Sequence, residues 1–193
     1  MTIIKSISVG DGDFCYIRHS SDNFTVIDCN FTGDRDAEII DEIKAQSKDK
    51  GIRRFISTHP DQDHFAGIEK LDEKWPIVHF SVVTNNALKD EETTSFKHYC
   101  QLRDGNKAFH ISKGCKRKWM NQGDDTRGPA GISILWPDTE NEHFKAALKE
   151  CDTGVSYNNV SAVVRYSLVP SRSVWVDWER RVRRYTRCRG RDV

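Results

Sequence analysis

The sequence predicts an α/β protein whose layered sheets mix strand directions. Three observations carry that prediction. Strand-like alternation and helical periodicity take turns from about residue 36 onward, which is the pattern of sheets covered by helices. The first thirty residues read instead as consecutive short strands joined by turns, so the sheet is not purely parallel. A length of 193 residues, 37% hydrophobic and 31% charged, describes one soluble domain with a substantial core.

In chain order, TIIKSISVG alternates around Ile3/Ile4, Ile7 and Val9, and GDGDF supplies a turn. FCYIRHS then passes through SSDN into FTVIDCN. DAEIIDEIKAQSK is a helix with Ile39, Ile40 and Ile43 on one face, Asp34 as its expected cap and Gly51 as its expected end. IRRFIST is a strand and FAGIEKLDEKW a short helix with Phe65, Ile68 and Leu71 inward. IVHFSVVT reads as strand and TTSFKHYCQL as helix. The basic, glycine-containing stretch from Lys113 to Gly131 reads as a loop or insertion. GISILWP (strand), EHFKAALKE (helix), NNVSAVVRYSLV and SVWVDWE (strands) complete the patterned part, and no internal repeat stands out.

Composition narrows the function classes. The chain has no apolar run long enough to span a membrane, and MTIIKSISVGDGDF lacks the basic-then-apolar order of a secretion signal, so a cytoplasmic location and no membrane partner are expected. Six cysteines without C-x-x-C spacing argue against a zinc ribbon and a disulfide framework, leaving free thiols. The net charge of +1 conceals an asymmetry: residues 171–193 hold eight arginines and three acids, a net +5, while the rest carries −4.

The segment that carries chemistry is STHPDQDHFAG, residues 57–67, with His59, Asp61, Asp63 and His64 inside six positions. His59 and Asp61 point to one side of an extended segment, and Pro60 keeps His59 extended. Asp63 and His64 follow where a helix is expected to begin and can face back to the same point. Imidazole nitrogen and carboxylate oxygen suit zinc, iron or manganese, and four such groups suffice for half of a two-metal site completed from distant strands. Such a site acidifies a bound water and clamps both oxygens of an in-line displacement, which is hydrolysis of a phosphodiester or another ester or amide. Gly67 lets the following helix approach closely. The competing reading is a capped helix start, with Asp61 or Asp63 as cap and solvated histidines.

H-P-D-Q-D-H resembles the H-x-H-x-D-H signature of the metallo-β-lactamase fold, with Asp61 in place of the second histidine. That substitution is similar to the hydrolase domain of the bacterial DNA-internalisation competence protein. ISVGDGDFCYI with TVIDCN resembles the opening strands of that branch, and Asn158-Asn159-Val160-Ser161 before AVVRYSL resembles its N-x-x-S strand. The resemblance spans most of residues 1–170. It implies an αββα sandwich with one or two zinc ions, or manganese or iron, at one edge of the sheets. It also implies His59 and Asp61 at a first metal position and Asp63 and His64 at a second. Asp63 would orient the nucleophilic water or accept its proton, and Asn158 and Ser161 would lie nearby.

The pattern breaks near the end. The family's later bridging aspartate has one candidate, Asp177, which lacks the usual preceding glycine, and no histidine follows His143. The chain closes on ERRVRRYTRCRGRDV, where apolar periodicity ceases. We therefore expect a domain over 1–178, incomplete at its C-terminus, and a disordered arginine-rich tail over 179–193. Three readings stay open: a metal-dependent phosphodiester hydrolase, a shortened and catalytically idle domain, and a nucleic-acid binder acting through the tail. The other histidines and the KGCKRK stretch (113–118) read as solvated or hydrogen-bonded groups.

Overall fold

Ile3–Ser6 (β1), Cys15–Arg18 (β2) and Asn23–Ile27 (β3) form an antiparallel meander, the arrangement that the alternating N-terminal segments call for. This is a computed structural model of the chain, and it describes residues 1–90, 92–169 and 172–176. After Cys29–Asn30 (β4) comes the first helix, Asp36–Ser47 (α1), followed by Ile52–Ser57 (β5), which pairs parallel with β3. Phe65–Ala66 (β6), Ile68–Lys74 (α2), His79–Val82 (β7), Thr94–Asp104 (α3) and Ala108–His110 (β8) follow. The main sheet runs β1-β2-β3-β5-β7-β8, antiparallel in its first three strands and parallel from β3 onward. Ile132–Trp136 (β9), Glu142–Asp152 (α4), Val163–Val169 (β10) and Arg172–Val176 (β11) complete the described elements. β11-β10-β9 make a second, antiparallel sheet.

Each face of the main sheet buries its own core. Phe24, Val26, Phe55 and Phe80 point to the helical side and pack with Ile39, Ile43, Leu71, Trp75 and Tyr99 of α1–α3 and their flanks. Ile17, Ile27 and Ile56 point the other way and meet Ile132, Ile134, Val164 and Tyr166 of the second sheet, with Phe144 and Ala147 of α4. Each such large side chain removed from water contributes roughly 1.5–3 kcal/mol before the entropy of ordering is set against it. This is the mixed α/β sandwich the sequence predicts. Among the described residues, no helix is long and apolar enough to cross a membrane.

Three local expectations are corrected. Arg35, not Asp34, precedes α1, and Asp36 supplies the turn by accepting from the Gly33 amide. The helix ends at Ser47 with Lys48 as cap, so Gly51 instead sits just before the next strand, its amide bonded to Asp22. The helix expected from Phe65 starts only at Ile68, because Phe65 and Ala66 pair with Cys29 and Asn30 as a short parallel ladder. The three-residue β8 went unread because it is too short to show a period. The five described cysteines are free thiols, as expected. Cys188, Asp177 and the arginine-rich 179–193 stretch lie outside the described residues.

Candidate functional site

Because β3 and β5 run parallel, the residues that follow them emerge at one edge of the sheet: Asp28 after β3, Thr58 and His59 after β5. Crevices outside the carboxyl ends of parallel strands are where α/β proteins bind ligands. Asp28 is fully buried and adopts a left-handed backbone (φ 54°), which a residue with a short polar side chain tolerates best. Its carboxylate accepts from the Thr58 amide (2.8 Å) and the Thr58 hydroxyl (2.6 Å), and lies 3.1 Å from His64 Nδ1. One buried carboxylate therefore ties the start of the loop to its end.

The loop itself is pinned at both ends. Asp61 is extended and accepts from the Gln62 amide, capping a single 3-10 turn over Gln62–His64. The capped-turn reading of this segment is therefore correct for Asp61, although the turn is not the start of a long helix. Beyond it, β6 is clamped against β4, and Gly67 (φ 75°) stands where a Cβ would lie 2.6 Å from Phe31 Cβ. The close approach expected at Gly67 is thus real, and it fixes where the loop ends.

Hydrogen bonding assigns the imidazole tautomers. The Thr58 hydroxyl donates to Asp28, so at 3.0 Å from His59 Nδ1 it accepts from that nitrogen. His59 then carries its proton on Nδ1, and Nε2 is left with a lone pair, buried and without a hydrogen-bond partner among the described residues. Burial, with the charge of His64, pushes His59 down to about 4, so the ring is neutral at neutral pH. The two rings lie with centroids 4.0 Å apart. Burial also pulls His64 down, but its hydrogen bond to Asp28, together with the charges of Asp28, Asp63 and Asp13, outweighs it and raises the group to about 9. His64 Nε2 is 3.7 Å from Asp63 Oδ2. A metal ligand must be deprotonated, so cation uptake at His64 is coupled to proton release.

The structure brings His59, His64 and Asp63 to one spot, while Asp61 leans toward Lys89 Nζ at 3.7 Å. Among the described residues, no three His, Cys, Asp or Glu side chains already converge as a closed metal cage. The donor set nevertheless fits a divalent cation. A buried imidazole nitrogen with a free lone pair costs free energy unless something binds it, and the neighbouring His64 Nε2 lies 3.7 Å from the Asp63 carboxylate. Hydrogen-bonded partners at the far side of each ring are the usual support for ligating histidines.

Ser161 approaches from the second sheet: the neighbouring Ala162 amide donates to Thr58 O, and the buried Ser161 Oγ has no hydrogen-bond partner among the described residues. Asn158 sits one 3-10 turn earlier and accepts from the Ser161 amide through its carbonyl.

Sequence reasoning missed Asp28, Thr58, Asp13 and Lys89. Thr58 stands inside the 57–67 segment and Asp28 in the TVIDCN stretch that carries the resemblance, but neither is assigned a role at the site from the sequence. Asp13, in the GDGDF turn, is raised by burial and by the charges of Asp28 and Asp63, against the opposing charge of His64. The remaining described histidines stay apart from the site; His98 pairs with Asp72 and His79 packs edge-on against Trp119. In the basic stretch, Lys113 and Lys118 pair with Asp138 and Asp124, as a solvated loop would.

Residues 9–92, which include this loop, match the family model described as the metallo-beta-lactamase superfamily. No curated protein matches the chain. Two solved structures are similar: DIM-1 metallo-beta-lactamase exposed to ceftazidime (TM-score 0.41, 13% identity) and DIM-1 metallo-beta-lactamase (TM-score 0.38, 15% identity). In each case the comparison covers 83% of this chain and 64% of the other, so the chain spans less than two thirds of those enzymes.

Proposed function

We propose that this protein is a metal-dependent hydrolase acting on a phosphodiester. The observation that carries this reading is the buried His59 Nε2, without a hydrogen-bond partner among the described residues, on a ring whose centroid is 4.0 Å from that of His64, itself 3.7 Å from Asp63. The match of residues 9–92 to the metallo-beta-lactamase superfamily supports metal-dependent hydrolysis as the general class. His59, Asp61, Asp63 and His64 would hold the ion or ions, with Asp177 as a further carboxylate; nitrogen and oxygen donors suit zinc, or manganese or iron. Such a cation supplies Lewis acidity and a more acidic water at neutral pH.

The chain's own residues have separate tasks. Asp28 and Thr58 fix the ring orientations and direct the lone pair of His59 inward. Asp63, whose side chain is 40% exposed, would orient water and take its proton. Ser161, buried beside Thr58, can contact a bound group from the opposite sheet.

Two measurements test this. Purified protein supplied with zinc and then dialysed should retain one or two ions per chain, and His59→Ala should lose them. Hydrolysis of bis-p-nitrophenyl phosphate should require the divalent ion and disappear in Asp63→Ala. A wild type that retains no metal, or equal metal in His59→Ala, would sink the reading. Retained metal without turnover would favour a catalytically idle, metal-binding domain.

A further inference from the structure

Lys89 lies on the segment after β7, and its ammonium is held unlike any other described ion-paired lysine. Its side chain is 13% exposed, against 46–61% for Lys5, Lys44, Lys70, Lys74, Lys97, Lys113, Lys118 and Lys145. Nζ stands 4.0 Å from the Tyr157 ring centroid and 5.8 Å from those of Phe65 and Phe96, an aromatic box that attracts a cation through the ring quadrupoles. The box is itself anchored, because the Tyr157 hydroxyl donates to Leu88 O and the Asn86 amide donates to Asp152.

The partner of this cation is Asp61, at 3.7 Å and therefore outside hydrogen-bond range. Asp61 is also one of the groups proposed above to hold a metal. Once a divalent ion takes up the charge of Asp61, Lys89 loses its one ion-pair partner among the described residues. The rings hold it beside the site, and no other carboxylate among the described residues forms an ion pair with it. A partly buried cation held in that position calls for an anion from outside. We propose that Lys89 is the substrate-binding contact for a negatively charged oxygen next to the scissile bond, which selects a phosphodiester monoanion over a neutral ester. This rests on the metal reading above.

The test uses the zinc-loaded protein, with dimethyl phosphate as the anionic probe and trimethyl phosphate as its neutral counterpart, both followed by isothermal titration. Lys89→Met keeps the apolar stem and removes the charge. It should weaken dimethyl phosphate binding about tenfold or more, as loss of a charge-assisted contact does. Trimethyl phosphate binding and zinc per chain should not change, and Lys89→Arg should restore most of the anion affinity. Unchanged dimethyl phosphate binding in Lys89→Met overturns the proposal. So does loss of zinc or an equal weakening for both probes, since Lys89 would then merely position Asp61. If wild type takes up no zinc, the metal reading fails and this proposal falls with it. If it takes up zinc and ignores the charge at residue 89, this proposal alone fails.

Discussion

Asp28 Oδ2 lies 3.1 Å from His64 Nδ1, on a carboxylate that is completely buried and already accepts both the amide and the hydroxyl of Thr58. Three donors converge on one side chain from two ends of the same loop. Asp28→Asn preserves size and the tolerance for φ 54°, but an amide cannot accept at both of its ends. One of the three donors is then left unmet. We expect a loss of about 1–3 kcal/mol by urea denaturation. Zinc affinity, read by competition with a chromophoric chelator, should fall roughly 10–100-fold. Unchanged zinc affinity would mean that Asp28 does not orient His64.

Thr58 passes the same constraint to the other histidine. Its hydroxyl donates to Asp28 and accepts from His59 Nδ1. Thr58→Val keeps the shape and leaves that imidazole N–H buried without an acceptor, at a cost of about 1–3 kcal/mol. The ring should lose its single tautomer, visible as averaged 15N shifts for His59 in long-range 1H–15N spectra. Thr58→Ser should retain both the tautomer and most of the stability. Identical spectra for the valine variant would refute the relay.

The four polar residues of STHPDQDHFAG were legible because ligand-type side chains crowd six positions after a strand, and most strands and helices were legible from their periods. What remained hidden depends on pairing rather than spacing. Nothing in the sequence links Asp28 to a histidine 36 positions later; the parallel register of β3 with β5 makes that link. Lys89 reaches Asp61 only because the segment after β7 folds back over the site edge. The late start of α2 has the same origin, since the short β4–β6 ladder overrides the helical pattern from Phe65. Asp177 was read from its strand-end position alone and lies outside the described residues.

Away from the site, His19 makes folding sensitive to acid. It is 1% exposed, hydrogen-bonded through Nε2 to Thr25, and packed edge-on against Tyr166. Burial, reinforced by the charges of Arg54 and Lys50, drives it down to about 3. The unfolded chain binds the proton near 6.5 and the native state does not, so the stabilisation is full above about 6.5. It is lost as pH falls from there toward about 3, at up to roughly 1.4 kcal/mol per pH unit. Urea denaturation between pH 7 and pH 4 should show a shallower acid slope for His19→Gln than for wild type. Parallel profiles would show that His19 is not the group responsible.

Gly12 sets the distance between the N-terminal turn and the candidate metal loop. A Cβ there would stand 2.1 Å from the backbone oxygen of Asp63 and 2.6 Å from Asn30 Cβ, well inside the 3.0 Å that real Cβ atoms respect. Asn30 cannot yield easily, because its amide donates to Val9 O and its backbone lies in the β4–β6 ladder. Gly12→Ala must therefore displace the 61–64 turn by about an ångström, at an overpacking cost of roughly 1–3 kcal/mol. A shift of that size at a group that orients water costs on the order of 100-fold in rate. Divalent-dependent hydrolysis of bis-p-nitrophenyl phosphate should fall accordingly, while far-ultraviolet circular dichroism stays native. Gly33→Ala is the control, since a Cβ there meets nothing within 4 Å and the backbone is not left-handed. It should match wild type in both stability and rate. Equal effects of the two substitutions would show that the turn at Gly12 does not position Asp63.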